Sequence, residues 1–165
     1  MFKKSIDVKK IDAGERSSFE FSEWRVGFNS LRAKLVIIYR PPYSQAHPIT
    51  ARVFFEEFAS YLETIILSAE SLILTGDFNF HVDAADDPEA RVFLDLLTSM
   101  GLKQHVTVST HISGHTFDLV ITREYDPIIA VFQWLTNIFL ITHQYFALLI
   151  QRGLCTRRRR SVIGN

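Results

Sequence analysis

The chain has 165 residues and a mass of 19.0 kDa, the size of one domain. Hydrophobic residues are 47% and charged residues 22%, which excludes wholesale disorder and fibrous repeats, and 14 Phe, five Tyr and two Trp supply material for a core. The net charge of zero hides an uneven distribution: residues 1–34 carry eight Lys/Arg against five Asp/Glu, residues 35–120 four against eleven, and residues 121–165 six against two.

An acidic centre between basic ends suits a cation site flanked by polyanion-binding surface, and a mosaic surface with a solvated tail gives the same count. The opening MFKKSIDVKK has basic residues but no apolar run behind them, so it does not read as a secretory signal. Residues 1–16 read as an extension. Residues 17–26 (SSFEFSEWRV) alternate polar and apolar, as a half-buried strand does. LVIIY (35–39) is a continuous β-branched run that predicts a buried strand, and Arg40-Pro41-Pro42 ends it, because proline removes a donor and fixes φ.

Residues 51–68 predict a helix. Phe54, Phe55, Phe58, Tyr61, Leu62, Ile65 and Ile66 form one stripe of a 3.6-residue period, with Thr50 as N-cap. SLILT (71–75) predicts a short buried strand. A second helix starts at Asp87-Pro88 with Asp as N-cap, carries the stripe Val92, Phe93, Leu96, Leu97 and Met100, and stops at Gly101. Gln104–Val108 and Thr116–Thr122 read as further strands. This element order implies a layered α/β domain, with one core over 17–150. Ile128–Ile150 is 23 residues without a charge. Two adjacent buried strands account for it. A membrane span is the alternative, with Gln133, Asn137, His143 and Gln144 costly in hydrocarbon. The single cysteine, Cys155, excludes an intramolecular disulfide, and six His with one Cys speak against a structural zinc cluster. Residues 151–165, with Arg157–Arg160, read as a basic, solvated tail able to contact phosphates.

Four features carry chemistry. Gly76-Asp77-Phe78-Asn79 follows a predicted buried strand, where α/β sheets place ligand sites. Two residues apart on extended chain, Asp77 and Asn79 point the same way, one offering an anionic oxygen and the other an amide. An ordinary Asp/Asn turn has the same sequence. In GHTFDLVI (114–121), Asp118 interrupts an apolar strand and needs an imidazolium, an arginine, a metal or water as partner. Thr142-His143-Gln144 stands in the last apolar run, where a packed core histidine is the bland reading. Tyr39 ends LVIIY, with a strand-end aromatic as its bland reading.

Taken together, LVIIYRPP, the FFEEF helix, LILTGDFNFHVD, FLDLLTSMGLKQHV and THISGHTFDLVITR resemble the endonuclease/exonuclease/phosphatase superfamily, and within it the apurinic-type endonuclease domain of non-LTR retrotransposons. The resemblance covers roughly residues 18–150. It implies a deoxyribonuclease-I-like α/β sandwich of mixed sheets flanked by helices, and Mg²⁺-assisted nicking of a DNA phosphodiester, with Mn²⁺ as a substitute metal. It assigns Tyr39 to the scissile phosphate, Asp77 to the attacking water, Asn79 to phosphate binding and Asp118 to orienting the catalytic histidine, with Asp77 and Asn79 at the metal. His143 stands at that histidine in one register. In the other, Thr142, His143 and Gln144 replace the family's Ser, Asp and His. The resemblance makes His81, Asp83, His111 and His115 loop or supporting residues.

The family's opening strands carry an asparagine and the glutamate that is the principal metal ligand. Glu15, Glu20 and Glu23 do not stand in that motif, so the domain is expected to be incomplete on its N-terminal side, with unpaired sheet edges. DNA is the expected partner, with no small-molecule cofactor, no membrane and a monomeric chain in the nucleus or cytoplasm, not secreted. The competing readings are a catalytically inactive retrotransposon relic with weak nucleic-acid binding, a tail-anchored membrane protein, and a superfamily phosphatase.

Overall fold

The computed structural model describes residues 6–28, 31–110 and 114–128. Along them run β1 (Ile6–Glu15), β2 (Glu20–Phe28), β3 (Leu31–Tyr39), α1 (Ala51–Ile65), β4 (Ser71–Asp77), α2 (Pro88–Ser99), β5 (Leu102–Gln104) and β6 (Asp118–Arg123). The strands form a six-stranded sheet in the order β1-β2-β3-β4-β6-β5. β3 and β4 are parallel, with α1 as their crossover, and the other pairings are antiparallel. The fold is therefore the mixed α/β class that the element order implied.

Both helices bury their apolar stripes on one sheet face. α1 sets Phe54, Phe58, Tyr61, Leu62 and Ile65 against Val36 and Ile38 of β3, Leu72 and Leu74 of β4, and Leu119 and Ile121 of β6. α2 adds Phe93 and Leu97. Phe93 stacks on Phe80 at 4.9 Å between centroids and meets Phe78 at 5.3 Å, Phe58 at 6.0 Å and Phe54 at 6.2 Å. The opposite face is lined by Ala33, Ile73 and Val120, on which Ile128 packs.

Polar staples tie the elements together. On α1, Glu57 accepts from the Ser17 hydroxyl (2.7 Å) and from the Ser18 amide (3.0 Å) and hydroxyl (2.6 Å). Buried Glu23 accepts from Lys34 Nζ (2.8 Å) and the Tyr61 hydroxyl (2.9 Å). Asp126 accepts from the amides of Leu72 and Ile128 (both 3.1 Å) and from Arg123 Nε (3.2 Å). Arg123 in turn donates to the carbonyls of Ile66, Ser68 and Glu70.

Several details differ from the sequence expectation. Residues 6–15 form the outer strand β1, for which no element was expected. The apolar alternation of Ile6 and Val8 slips phase before Ile11 and Ala13, and the bulge between Lys10 and Asp12 absorbs that slip. By register, Val8 and Ala13 then share a face. Thr50 has an extended cap conformation but makes no side-chain cap bond, whereas Asp87 accepts from Glu89 N (2.8 Å) and Ala90 N (3.0 Å) as expected. Val92 is exposed because the buried line of α2 is Ala90, Phe93 and Leu97. The strand expected at Gln104–Val108 lies two residues earlier, at Leu102–Gln104, and shares only Gln104 with that expectation. His105 N still donates to the Val120 carbonyl (2.9 Å), and the Gln104 side chain then donates to the Val106 carbonyl (2.7 Å). Thr116 and Phe117 fall outside β6 because Asp83 and Thr110 take their amides. No helix among the described residues is long and apolar enough to cross a membrane, and residues 129–150 lie outside the described residues, as does the tail.

Phe93 sits at the centre of the ring cluster. Phe93→Ala is expected to lower the unfolding free energy by about 3–5 kcal/mol, as truncations of buried aromatics do. A urea midpoint within error of wild type would show that the cluster does not carry the fold.

Candidate functional site

The sheet register brings three of the sequence-predicted residues abreast. Tyr39 on β3 pairs with Asp77 on β4, and Asp77 pairs with Asp118 on β6. They stand at the carboxyl ends of β3 and β4 and at the start of β6. Side chains alternate along a strand, so all three share the sheet face of Ala33, Ile73 and Val120, opposite the helices. Adjacent strands lie about 4.8 Å apart, which sets the three side chains in a row about 10 Å long. Two carboxylates directly opposite each other repel and create a demand for cationic or protonated partners.

Asn79 follows on a tight turn. Its amide donates to Asp77 Oδ1 (3.1 Å), closing an Asx turn, and its φ of 51° is left-handed, a conformation Asn tolerates. Its Nδ2 donates to the Arg40 carbonyl (2.7 Å). The DFNF segment alternates in burial, with Phe78 and Phe80 in the core and Asp77 and Asn79 half-buried. Gly76 permits the approach. Its φ is +139° and a Cβ there would meet the Ile38 carbonyl oxygen at 1.9 Å, so β4 can pair closely with β3 just before Asp77.

Arg40 was read only as the end of a strand, yet it lies beneath this turn at 5% exposure. Its Nη1 donates to the carbonyls of Phe78 (3.2 Å) and Asn79 (3.0 Å), and its guanidinium lies 4.0 Å from the Phe80 ring centre. Burial lowers its pKa, and the carboxylates of Glu89 and Asp77 oppose that shift. The available signal was a cation placed directly behind a fully apolar strand.

A second cluster flanks the first. Asp83 accepts from the Thr116 amide (2.9 Å) and pairs with His115 Nδ1 (3.1 Å). His81 stands edge-on to both His115 (4.4 Å) and Phe117 (4.9 Å). The Thr116 amide, helped by His115, holds the Asp83 carboxyl below its ordinary value. Next to it, the Thr110 hydroxyl oxygen accepts from the amides of Phe117 and Asp118, both at 3.0 Å. These contacts fix the loop that leads into Asp118. His143, Thr142 and Gln144 lie outside the described residues, as does His111.

No group of three or more His, Cys, Asp and Glu side chains among the described residues is placed to hold a metal ion. What Asp77, Asp118 and Asn79 offer is a hard-oxygen set of two carboxylates and an amide. That suits Mg²⁺, which commonly takes one or two protein carboxylates and completes its shell with water and substrate phosphate.

No family model matches the sequence, and no curated protein does. Among solved structures, the chain is similar to D. rerio TDP2 complexed with a single-strand DNA product, at 13% identity and a TM-score of 0.45, over 70% of this chain and 53% of that one. It is similar to an endonuclease/exonuclease/phosphatase family protein from Leptotrichia buccalis C-1013-b, at 11% and 0.44, over 73% and 48%. It is also similar to the human Nocturnin catalytic domain with bound sulfate, at 10% and 0.42, over 72% and 49%. The chain spans about half the length of these structures.

The depressed Asp83 carboxyl has a pH consequence. Its contribution to stability is fully present above the unfolded value of 3.8 and is lost as pH falls through the lower folded value. The gap in urea midpoint between wild type and Asp83→Asn is therefore expected to be open at about pH 6 and to narrow as pH falls below 3.8. A gap that stays constant over that range would mean that Asp83 does not titrate in this contact.

Proposed function

We propose that the chain carries the phosphodiester-cleaving site of an endonuclease/exonuclease/phosphatase-type domain, acting on DNA as the apurinic-type endonucleases of non-LTR retrotransposons do. The observation that carries this reading is the row Tyr39–Asp77–Asp118, in register on three strands, with Asn79 turned back onto Asp77. A row that holds an acid, a second acid, a phenol and an amide has the donors and acceptors that phosphodiester hydrolysis requires.

In this reading Asp77 orients and deprotonates the attacking water. The Asn79 amide and the Tyr39 hydroxyl donate to non-bridging phosphate oxygens, where charge grows toward the transition state. Asp118 holds the imidazole of His143 in the tautomer that can move a proton, as the acid of a triad does for its base. Mg²⁺, bound through Asp77 and Asn79 together with substrate oxygens, would polarise the phosphoryl group and stabilise the leaving oxygen. Mn²⁺ fits the same oxygen donors. The protein would work as a monomer in the nucleus or cytoplasm, with the basic tail contacting phosphates and no small-molecule cofactor.

The test is nicking of supercoiled plasmid by the full chain in Mg²⁺, in EDTA and as Asp77→Ala. Nicking is expected in Mg²⁺ alone, with Asp77→Ala lowering it by about 10²-fold or more, the usual scale for a group that handles the proton in flight. A folded wild-type chain that binds DNA with a steep salt dependence but gives no product would overturn the enzymatic reading in favour of a relic that retains binding alone.

A further inference from the structure

Arg40 is a buried cation that, among the described residues, makes no ion pair. Taking a guanidinium out of water is costly, and an apolar side chain of similar volume generally serves stability as well or better. What an apolar side chain lacks is reach to two carbonyls at once. Arg40 contacts each residue of the 77–80 turn. Its amide donates to the Asp77 carbonyl (2.9 Å) and its Nη1 to the carbonyls of Phe78 and Asn79. Its own carbonyl accepts the Asn79 side-chain amide (2.7 Å), and its guanidinium covers the Phe80 ring, with the Phe54 ring 5.4 Å away. The two carbonyls converge on one Nη1 because Asn79 is left-handed, with φ 51°. An asparagine released from that clamp relaxes toward φ below zero, which turns its carbonyl away from Arg40 Nη1 and swings its side-chain amide off the Arg40 carbonyl.

We propose that Arg40 is a positioning residue whose guanidinium clamps the Phe78 and Asn79 carbonyls, holds Asn79 left-handed and thereby fixes the direction of its side-chain amide, which donates to the Arg40 carbonyl. The clamp is a matter of geometry. Its consequence for catalysis rests on the reading of Asp77 and Asn79 as the phosphodiester site.

The test uses the full chain with ¹⁵N-labelled asparagine and tryptophan. Asn79 is one of four asparagines, and its side-chain signals are assigned by their loss in Asn79→Ala. In wild type the two Asn79 Nδ2 protons are expected to be well separated and slow to exchange. In Arg40→Met and in Arg40→Lys, which keeps the charge but not the planar group that lies on the Phe80 ring and aims Nη1 at both carbonyls, they are expected to collapse to the position of a free amide. The Trp24 indole signal, whose proton is donated to Ser22 Oγ, is expected to stay in place as the mark of an intact sheet. Unchanged Asn79 signals in a folded Arg40→Met or Arg40→Lys chain would overturn the clamp. If both variants fail to fold, Arg40 is structural and the proposal is equally overturned. In the plasmid assay, both variants are expected to lower kcat by about 10²-fold with KM within about twofold, the pattern of a lost transition-state interaction. Adding Asn79→Ala is expected to cost no more than Asn79→Ala alone, because both changes remove the same group. A wild-type chain without nicking activity would sink the phosphodiester reading, while the Asn79 amide signals would still decide the clamp.

Discussion

The burial of Phe78 and Phe80 is the constraint on which the candidate site depends. Both rings are essentially sealed from solvent, and each full burial contributes on the order of 1.5–3 kcal/mol. Because side chains alternate, fixing those two rings fixes the orientation of the residues beside them. A slip of one residue would exchange Phe78 and Phe80 for Asp77 and Asn79 in the aromatic core, and a carboxylate placed there without partners costs far more than the slip could return. The apolar core therefore determines the register of the polar turn, and α1 and α2 matter to the site because Phe54, Phe58 and Phe93 hold those rings.

The electrostatics of the turn pull the other way. Asp77 and Asp118 stand directly opposite each other in a segment with four cations and eleven anions. Ordinary sheet pairing disfavours such a neighbourhood, and a structural site of this kind would be expected to place a lysine or arginine across the strand. Arg40 instead lies under the turn, with its charge spent on carbonyls and an aromatic face. The Arg40 charge is thus directed into the turn, while the two carboxylates stand abreast on the sheet face opposite the helices.

Much of this was legible in the sequence, and the physical reasons differ by element. β3 and β4 are runs of β-branched and leucine residues buried on both faces, and α1 and α2 carry stripes wide enough to survive tertiary context. Their existence followed from periodicity alone. Tyr39, Asp77, Asn79 and Asp118 were named from motif resemblance, and only the pairing of β3, β4 and β6 puts the first, second and fourth in one row. β1 was missed because its alternation changes phase at a bulge, which defeats a fixed period of two. β5 was placed two residues too late, because Gly101 was read only as the stop of α2 while the pairing with β6 begins immediately after it, at Leu102. Arg40 was passed over because a strand-terminating role already explained it. The Asp83–His115 pair joins residues 32 apart, a contact that no local pattern encodes.

The two faces of the sheet do different work. The helix face is packed with phenylalanine and leucine. The other face mixes Ala33, Leu35, Ile37, Ile73 and Val120 with Thr75 and Thr122, and the candidate site lies at its end. Asp126 bears on this division. Burial would raise its pKa, but hydrogen bonds from Ser71 and from the amides of Ile128 and Leu72, with Arg123 beside it, hold it below the ordinary value, so it stays a charged anchor at neutral pH. That anchor bends the chain after β6 and seats Ile128 on the Ala33–Ile73–Val120 surface. Ile128 thus covers part of the same sheet face that bears Asp77 and Asp118 at its end, so the anchor and the carboxylate row share one surface.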